Sequence, residues 1–116
     1  MIAAPYWDLM FPAVFKTYLE NVSVSGITFD YSSDGIPTGL CKASNLYYVT
    51  TAGGYIGENN FGFTYIKALA EKLFGIPNTK CFSAEGLDIS DDCARASMKK
   101  AMVEIEEADL SCKKNN

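Results

Sequence analysis

A run of strand-forming residues that leads into a pair of glycines constrains this chain more than any other feature. Residues 46–51, Leu-Tyr-Tyr-Val-Thr-Thr, are mostly aromatic or β-branched, and Gly53 and Gly54 follow almost at once. An amphipathic segment comes next, over residues 61–73. This order predicts a strand, a tight loop and a helix, the repeating unit of a parallel α/β sheet. Ligands bind to such sheets at the loops that follow the carboxyl ends of the strands.

The glycine pair has two interpretations. Because Gly53 and Gly54 have no Cβ, they can adopt positive φ and lie close against a flat ligand. Thr50 and Thr51 could then offer hydroxyl groups, and Tyr55 an aromatic face. The simpler interpretation is a turn between a strand and a helix, since short glycine motifs often arise by chance.

Composition limits the class of protein. The chain has 116 residues, enough for one domain, and 48% of them are hydrophobic, which predicts a packed core. A net charge of −4 and scattered lysines argue against nucleic acid as a partner. No apolar run approaches the ~20 residues that span a bilayer, and the N-terminus lacks the pattern of a secretory signal. We therefore expect a cytoplasmic protein with no nucleic-acid or membrane partner.

The cysteine and histidine content limits the chemistry. The chain has four cysteines, no two of which are separated by just two residues, and it has no histidine. This pattern argues against a zinc site and excludes Ser-His and Cys-His nucleophiles. We expect no metal, reduced cysteines as in cytosolic proteins, and chemistry that depends on a bound cofactor or on carboxylate, lysine and tyrosine groups. The residues alone identify no catalytic side chain.

The remaining patterns predict alternating strands and helices. The predicted elements are a strand stub at 1–4, helices near 12–24, 60–74 and 91–110, an extended piece near 27–31, a loop at 32–39, and strands near 45–51 and 79–84. The stub should lie beside the 45–51 strand and parallel to it. Gly26 and Gly75 are predicted helix stops.

Capping residues and one apolar stripe complete this outline. Asn59 or Asn60 is the expected cap of the second helix, and Ser90 begins the third. The third helix carries an apolar stripe that is predicted to face the core, formed by Ala94, Met98, Ala101, Ile105 and Ala108.

An unusually apolar loop occupies residues 5–11, Pro-Tyr-Trp-Asp-Leu-Met-Phe. Loops are normally polar, so this one either packs beneath another element or faces a ligand. We expect Tyr6 and Trp7 to lie at the same end of the sheet as Gly53 and Gly54. The alternative is that Trp7 packs on the helix near 12–24, since aromatic side chains are common in cores.

Four segments carry a resemblance to a known family. Residues 4–18, Ala-Pro-Tyr-Trp-Asp-Leu-Met-Phe-Pro-Ala-Val-Phe-Lys-Thr-Tyr, resemble the loop and helix after the third strand of the flavodoxin-like FMN-dependent NAD(P)H:quinone oxidoreductases and azoreductases. Residues 26–29, Gly-Ile-Thr-Phe, and 50–54, Thr-Thr-Ala-Gly-Gly, are similar to that family's Gly-x-Thr-Phe and Thr-Ser-x-Gly-Gly. Residues 84–87, Ala-Glu-Gly-Leu, resemble the segment after its fifth strand. The matches occur in family order and cover nearly the whole chain.

The resemblance implies an α/β fold, namely a flavodoxin-like three-layer sandwich with a parallel sheet. It implies that residues 1–116 form a partial domain, truncated at the N-terminal side, because no residues match the family's first two strands and its phosphate-binding loop. FMN would lie at the switch point of the sheet. By carry-over, the implied FMN-binding residues are Tyr6, Trp7, Asp8, Leu9, Thr51, Gly53, Gly54 and Tyr55. Ala52 stands where some family members carry Arg.

Two functions follow from the resemblance. The first is an enzyme, or a fragment of one, that passes hydride from NAD(P)H through FMN to a small-molecule electron acceptor, a quinone or an azo compound, and that acts as a homodimer. The second is a non-catalytic, truncated flavodoxin-like module that needs a partner chain, such as the missing N-terminal half, and that binds FMN weakly or not at all. The open edge of the strand stub would be the place where a partner pairs.

Overall fold

The computed structural model describes the backbone of residues 1–113 and the side chains of residues 1–108. Strands and helices alternate along most of the chain. In chain order the elements are β1 (Ile2–Ala3), α1 (Ala13–Val22), β2 (Phe29–Tyr31), β3 (Pro37–Gly39), β4 (Asn45–Thr51), α2 (Phe61–Leu69), a π-helical turn (Ala70–Phe74), β5 (Asn78–Ala84) and α3 (Asp91–Lys113).

Three parallel strands form the central sheet in the order β1-β4-β5. Ile2 pairs with Tyr48, and Thr51 at the end of β4 pairs with Ala84 at the end of β5. The predicted parallel arrangement, with the stub next to the 45–51 strand, is confirmed. Because the strands are parallel and in this register, the loops after all three of them meet at one edge of the sheet.

The two faces of the sheet are covered by different helices. On one face, the buried side chain of Tyr48 packs with Leu19 of α1 and Ile66 of α2. Both helices lie there because successive right-handed crossovers in the same direction place their helices on the same side. Phe82 points to the other face by strand alternation, and α3 packs against β5 there. The result is a three-layer α/β sandwich.

The helix ends differ in part from the predictions. α1 ends at Val22 rather than near Gly26, because Ser23 caps it and donates a hydrogen bond from its Oγ to the carbonyl of Leu19 at 2.7 Å. Gly26, with φ of 80°, lies in the turn beyond. Asn60 is the cap of α2 and accepts a hydrogen bond from the N–H of Phe63 at 3.1 Å.

The prediction of a loop over residues 32–39 is wrong for residues 37–39, which form β3. β2 and β3 form an antiparallel hairpin there, with Phe29 opposite Gly39. Gly39 packs so closely on the backbone of Phe74 and Gly75 that a Cβ at this position would overlap it. Glycine therefore marks a close approach between two segments at this point, and the sequence pattern alone indicated only a break in structure.

The predicted core stripe of α3 is only partly buried. Ala101 is buried, whereas Met98 is 42% exposed. Met102 and Val103 are also exposed, and with Leu87 they line an apolar groove of about 690 Å³ along the helix. α3 packs on the sheet through β5.

Cys81 lies on the sheet face that α1 and α2 cover, and its environment suppresses its reactivity. Burial raises the pKa of the Cys81 thiol to about 11. A hydrogen bond of 3.6 Å from the Asn60 amide to the Cys81 sulfur lowers this pKa, and the nearby Glu85 carboxylate raises it. Because the folded pKa exceeds the unfolded one, this group favours folding below about pH 9 and loses that contribution as the pH rises towards 11.

We expect Cys81 to react with iodoacetamide about a hundredfold more slowly in the folded chain than in urea at neutral pH, because the thiolate is the nucleophile. Peptide mass spectrometry of timed samples measures the labelling at each cysteine. Equal labelling rates of Cys81 in the folded and the unfolded chain would contradict this account.

Candidate functional site

A strained turn follows β1 at the carboxyl edge of the sheet. Trp7 and Met10 exchange two backbone hydrogen bonds of 2.9 Å, and the two residues between them, Asp8 and Leu9, have φ of 50° and 69°. Positive φ at both central positions is the signature of a type I′ turn, which costs energy when the residues are not glycine. Such strain is concentrated at functional sites.

Neighbouring loops hold this turn in place. The N–H of Tyr6 donates to the carbonyl of Thr51 at 3.0 Å, and the N–H of Phe61 donates to the carbonyl of Leu9 at 3.2 Å. The Tyr6 hydroxyl also donates to the carbonyl of Asn59 at 3.0 Å. The turn therefore presents its large side chains outwards: Trp7 is 61% exposed, and it is not packed on α1 as the alternative interpretation required.

In the loop after β4, residues 52–56, the carbonyl groups of residues 52–54 are engaged and the N–H groups of residues 53–55 are free. Its carbonyls accept hydrogen bonds from three consecutive N–H groups, from Gly86 to Gly54 at 2.9 Å, Leu87 to Ala52 at 3.2 Å and Asp88 to Gly53 at 3.0 Å. In the described part of the chain, the N–H groups of Gly53, Gly54 and Tyr55 donate to no acceptor. Adjacent free N–H groups can donate to carbonyl oxygens or to anions.

The two glycines of this loop serve different purposes. Neither has positive φ, so that expectation is wrong. A Cβ on Gly53 would overlap the carboxylate of Asp88, whereas a Cβ on Gly54 would meet no atom within 4 Å. Gly53 therefore allows the Asp88 side chain to lie against the loop, and Gly54 leaves open space on the outer side of the loop.

The structure separates the predicted side chains into two groups. Thr51 is exposed at the end of β4, but Thr50 is 2% exposed, so it cannot offer its hydroxyl to a ligand. The Tyr55 ring lies over Gly86 and lines a polar cavity of about 430 Å³ on the α3 side of the loop, together with Lys100. The turn of Trp7 and the glycine loop are at the same edge of the sheet, as predicted.

A shallow groove of about 260 Å³ lies between the ends of β1 and β4. It is lined by residues 3–5 and 49–51. Within the described residues, the outer edge of β1 pairs with no other strand. The same residues contain no group of three or more His, Cys, Asp or Glu side chains placed to hold a metal ion. None of their helices is long and apolar enough to cross a membrane.

Comparison with known proteins identifies the fold family. A family model described as the flavodoxin-like fold matches residues 1–108. The chain belongs to the flavodoxin-like family. As in other sheets of this family, consecutive parallel strands are joined by helices, and the loops at their carboxyl ends form the candidate site.

Relatives within this family are named oxidoreductases. The chain is 36% identical over 91 residues to an FMN-dependent NADH:quinone oxidoreductase of Clostridium perfringens, across 77% of the chain and 45% of that protein. It is 31% identical over 112 residues to FMN-dependent NADH:quinone oxidoreductase 2 of Clostridium acetobutylicum, across 92% of the chain and 55% of that protein. The chain thus spans about half the length of the curated relatives it matches.

Solved structures of azoreductases share the fold of this chain. An azoreductase from Bacillus anthracis strain Sterne superimposes with a TM-score of 0.76 and 25% identity, across 90% of this chain and 52% of that one. An FMN-dependent NADH-azoreductase from Bacillus anthracis Ames Ancestor, solved in complex with FMN, superimposes with a TM-score of 0.72 and 21% identity, across 90% of this chain and 53% of that one.

Sequence reasoning missed the residues that support the site from behind. The segment 86–88 fixes the glycine loop, and Glu85 accepts a hydrogen bond from the N–H of Ile56 at 3.0 Å. The only signal for them was the family resemblance of residues 84–87, which gave them no role. Their partners lie about 30 positions away in the chain, and no periodicity reports such a contact.

Proposed function

We propose that residues 1–116 are part of one flavodoxin-like domain of an FMN-dependent oxidoreductase. It passes hydride from NAD(P)H to a small-molecule acceptor, a quinone or an azo compound, and the names of the relatives favour NADH as the donor. The observation that carries the proposal is the set of free N–H groups at Gly53, Gly54 and Tyr55, beside a turn that exposes Trp7. The unpaired state of the described cysteines supports a cytoplasmic location.

The residues of the two loops would contact different parts of the flavin ring. Trp7 and Leu9 offer an apolar wall, and the N–H groups of Asp8 and Leu9 donate to no acceptor in the described part of the chain. The N–H groups of residues 53–55 suit the carbonyl oxygens at the polar edge of the ring, and Thr51 adds an exposed hydroxyl. The flavin supplies the hydride chemistry when it is bound, and the protein supplies position and electrostatics.

The phosphate end of FMN finds a poorer match. Phosphate groups bind to free N–H groups at helix N-termini, where the helix dipole is positive. The start of α2 is capped by Asn60, and the start of α3 is capped by Ser90 and carries the negative charges of Asp91 and Asp92. The starts of α2 and α3 therefore do not suit the phosphate of FMN, and the two loops at the sheet edge suit its ring better.

A second candidate function, the non-catalytic module that needs a partner chain, is favoured by two exposed features. The outer edge of β1 offers unpaired backbone groups, which readily pair with another strand. The apolar groove along α3, with Met98, Met102 and Val103 exposed, would be covered by a helix of the partner. Either the rest of a flavodoxin-like domain or a second copy of the chain could supply both elements.

Trp7 tests the ring site directly, because it is the only tryptophan in the chain. FMN is expected to quench its emission, and Trp7→Ala is expected to weaken FMN binding roughly fivefold to tenfold, the value of one aromatic stacking contact. Fluorescence anisotropy of FMN measures the affinity. Tyr31→Ala is the matched control, since Tyr31 is a comparably exposed aromatic in the β2–β3 hairpin. Equal losses in both variants would show that the ring does not bind at Trp7.

A further inference from the structure

Glu85 joins three segments of the fold through one side chain and its own backbone. Its Oε2 accepts a hydrogen bond from the N–H of Ile56 at 3.0 Å, and its Oε1 accepts one from the Ser83 hydroxyl at 3.0 Å. Its backbone N–H donates to the Oγ of Ser97 on α3 at 2.9 Å. The carboxylate is thus held at a fixed place behind the loop that follows β4.

The backbone contacts of the neighbouring segment act on the same loop. Residues 86–88 donate their N–H groups to the carbonyls of residues 52–54. These bonds hold the first half of the loop, and the bond from Ile56 to Glu85 holds its end. In the described part of the chain, no other side chain hydrogen-bonds to the backbone of residues 52–56.

We propose that Glu85 is a positioning residue, whose carboxylate fixes the end of the 52–56 loop so that the N–H groups of Gly53, Gly54 and Tyr55 face the ligand. This inference rests on the proposed function, because it assigns those N–H groups to the flavin ring. Without the bond to Glu85, the N–H of Ile56 would turn to water and the end of the 52–56 loop would lose its side-chain anchor.

The chemistry of the contact suits this role. A hydrogen bond to an ionised acceptor is roughly twice as strong as one between neutral groups, and Glu85 is half-buried, so water competes less with the N–H of Ile56. Lys100 lines the same polar cavity, but it forms no ion pair with Glu85 in the described part of the chain. The negative charge is therefore directed at the loop.

Amide hydrogen exchange tests the positioning role without any ligand. Glu85→Ala is expected to speed the exchange of the Ile56 N–H by about tenfold or more, because it removes a charge-assisted hydrogen bond. Glu85→Gln keeps one carbonyl acceptor and is expected to restore most of the protection. Glu58→Ala is the matched control. Glu58 is an exposed carboxylate two residues after Ile56, and it makes no hydrogen bond in the described part of the chain.

FMN titration by anisotropy then links the loop to the ligand. Glu85→Ala is expected to weaken FMN binding about tenfold, with Glu85→Gln and Glu58→Ala near the original value. Unchanged Ile56 exchange in Glu85→Ala would overturn the positioning role. Faster exchange with unchanged FMN affinity would show that the loop is held by Glu85 but does not bind the ring, which contradicts the assignment of its N–H groups.

Two further measurements keep the inference separate from the proposed function. If the original chain binds no FMN even at millimolar concentration, the proposed function fails for the isolated chain, while the exchange result still decides whether Glu85 fixes the loop. If Glu85→Ala does not fold, Ser83→Ala replaces it, because it frees Oε1 of the same carboxylate and is expected to speed Ile56 exchange by a smaller factor. Unchanged Ile56 exchange in both Ser83→Ala and Glu85→Gln, in a case where Glu85→Ala does not fold, would overturn the inference.

Discussion

The isolated chain of 116 residues is expected to bind FMN no more tightly than roughly high micromolar. The two loops at the sheet edge offer donors and an apolar wall to the flavin ring, but the starts of α2 and α3 are closed to its phosphate by their own caps. Several charge-assisted hydrogen bonds normally hold such a phosphate. Without these phosphate bonds, the free energy of FMN binding is less favourable by ~4 kcal/mol, which weakens binding about a thousandfold.

Titration with FMN and with riboflavin, which has no phosphate, separates the two ends of the ligand. The isolated chain is expected to bind both with similar affinity. Adding the N-terminal half of a relative, as a separate chain or a fusion, is expected to strengthen FMN binding by about a thousandfold and riboflavin binding much less.

Submicromolar binding of FMN by the chain alone would mean that it possesses a phosphate site of its own. The start of α1 is where such a site would be sought, because Pro12 provides no side-chain cap and the first turn carries no acidic residue.

Phe82→Ala is expected to lower the free energy of unfolding by about 3–5 kcal/mol, the range for removing a buried phenylalanine ring. Phe82 is 1% exposed, lies beside Tyr47 with ring centroids 5.8 Å apart, and occupies the strand on which α3 packs. A domain of this size has only ~5–15 kcal/mol of stability in total, so the variant is expected to lose a large fraction of it.

Urea unfolding followed by circular dichroism measures this change. Phe61→Ala is the matched control, because Phe61 is 49% exposed at the start of α2 and its loss should change the stability by less than about 1 kcal/mol. A similar loss of stability in the two variants would show that the packing between α3 and the sheet is not the source of the effect. Glu85 follows β5 directly and accepts a hydrogen bond from the loop after β4, so destabilisation at Phe82 should also disorder the candidate site.

The sequence determined the order of elements and the edge at which the site forms. Strand and helix periodicities are local, so the run at 46–51, the helix starts near Asn60 and Ser90, and the parallel arrangement could all be predicted from neighbouring residues. Parallel strands place their carboxyl ends together, and this rule alone brought Tyr6 and Trp7 to the edge that carries the glycine pair.

Only the tertiary structure decided how the site is built. The bond from Ile56 to Glu85 joins residues 29 positions apart, and the close packing of Gly39 on Gly75 joins segments even further apart. Such contacts depend on where distant segments meet in the fold, and local sequence patterns do not predict those meeting points. The same reason explains why the Asp88 side chain lies against Gly53, and why Met98 of the predicted core stripe is exposed. The sequence predicted a loop that could hold a flat ligand, and the fold decided which of its N–H groups are free to do so.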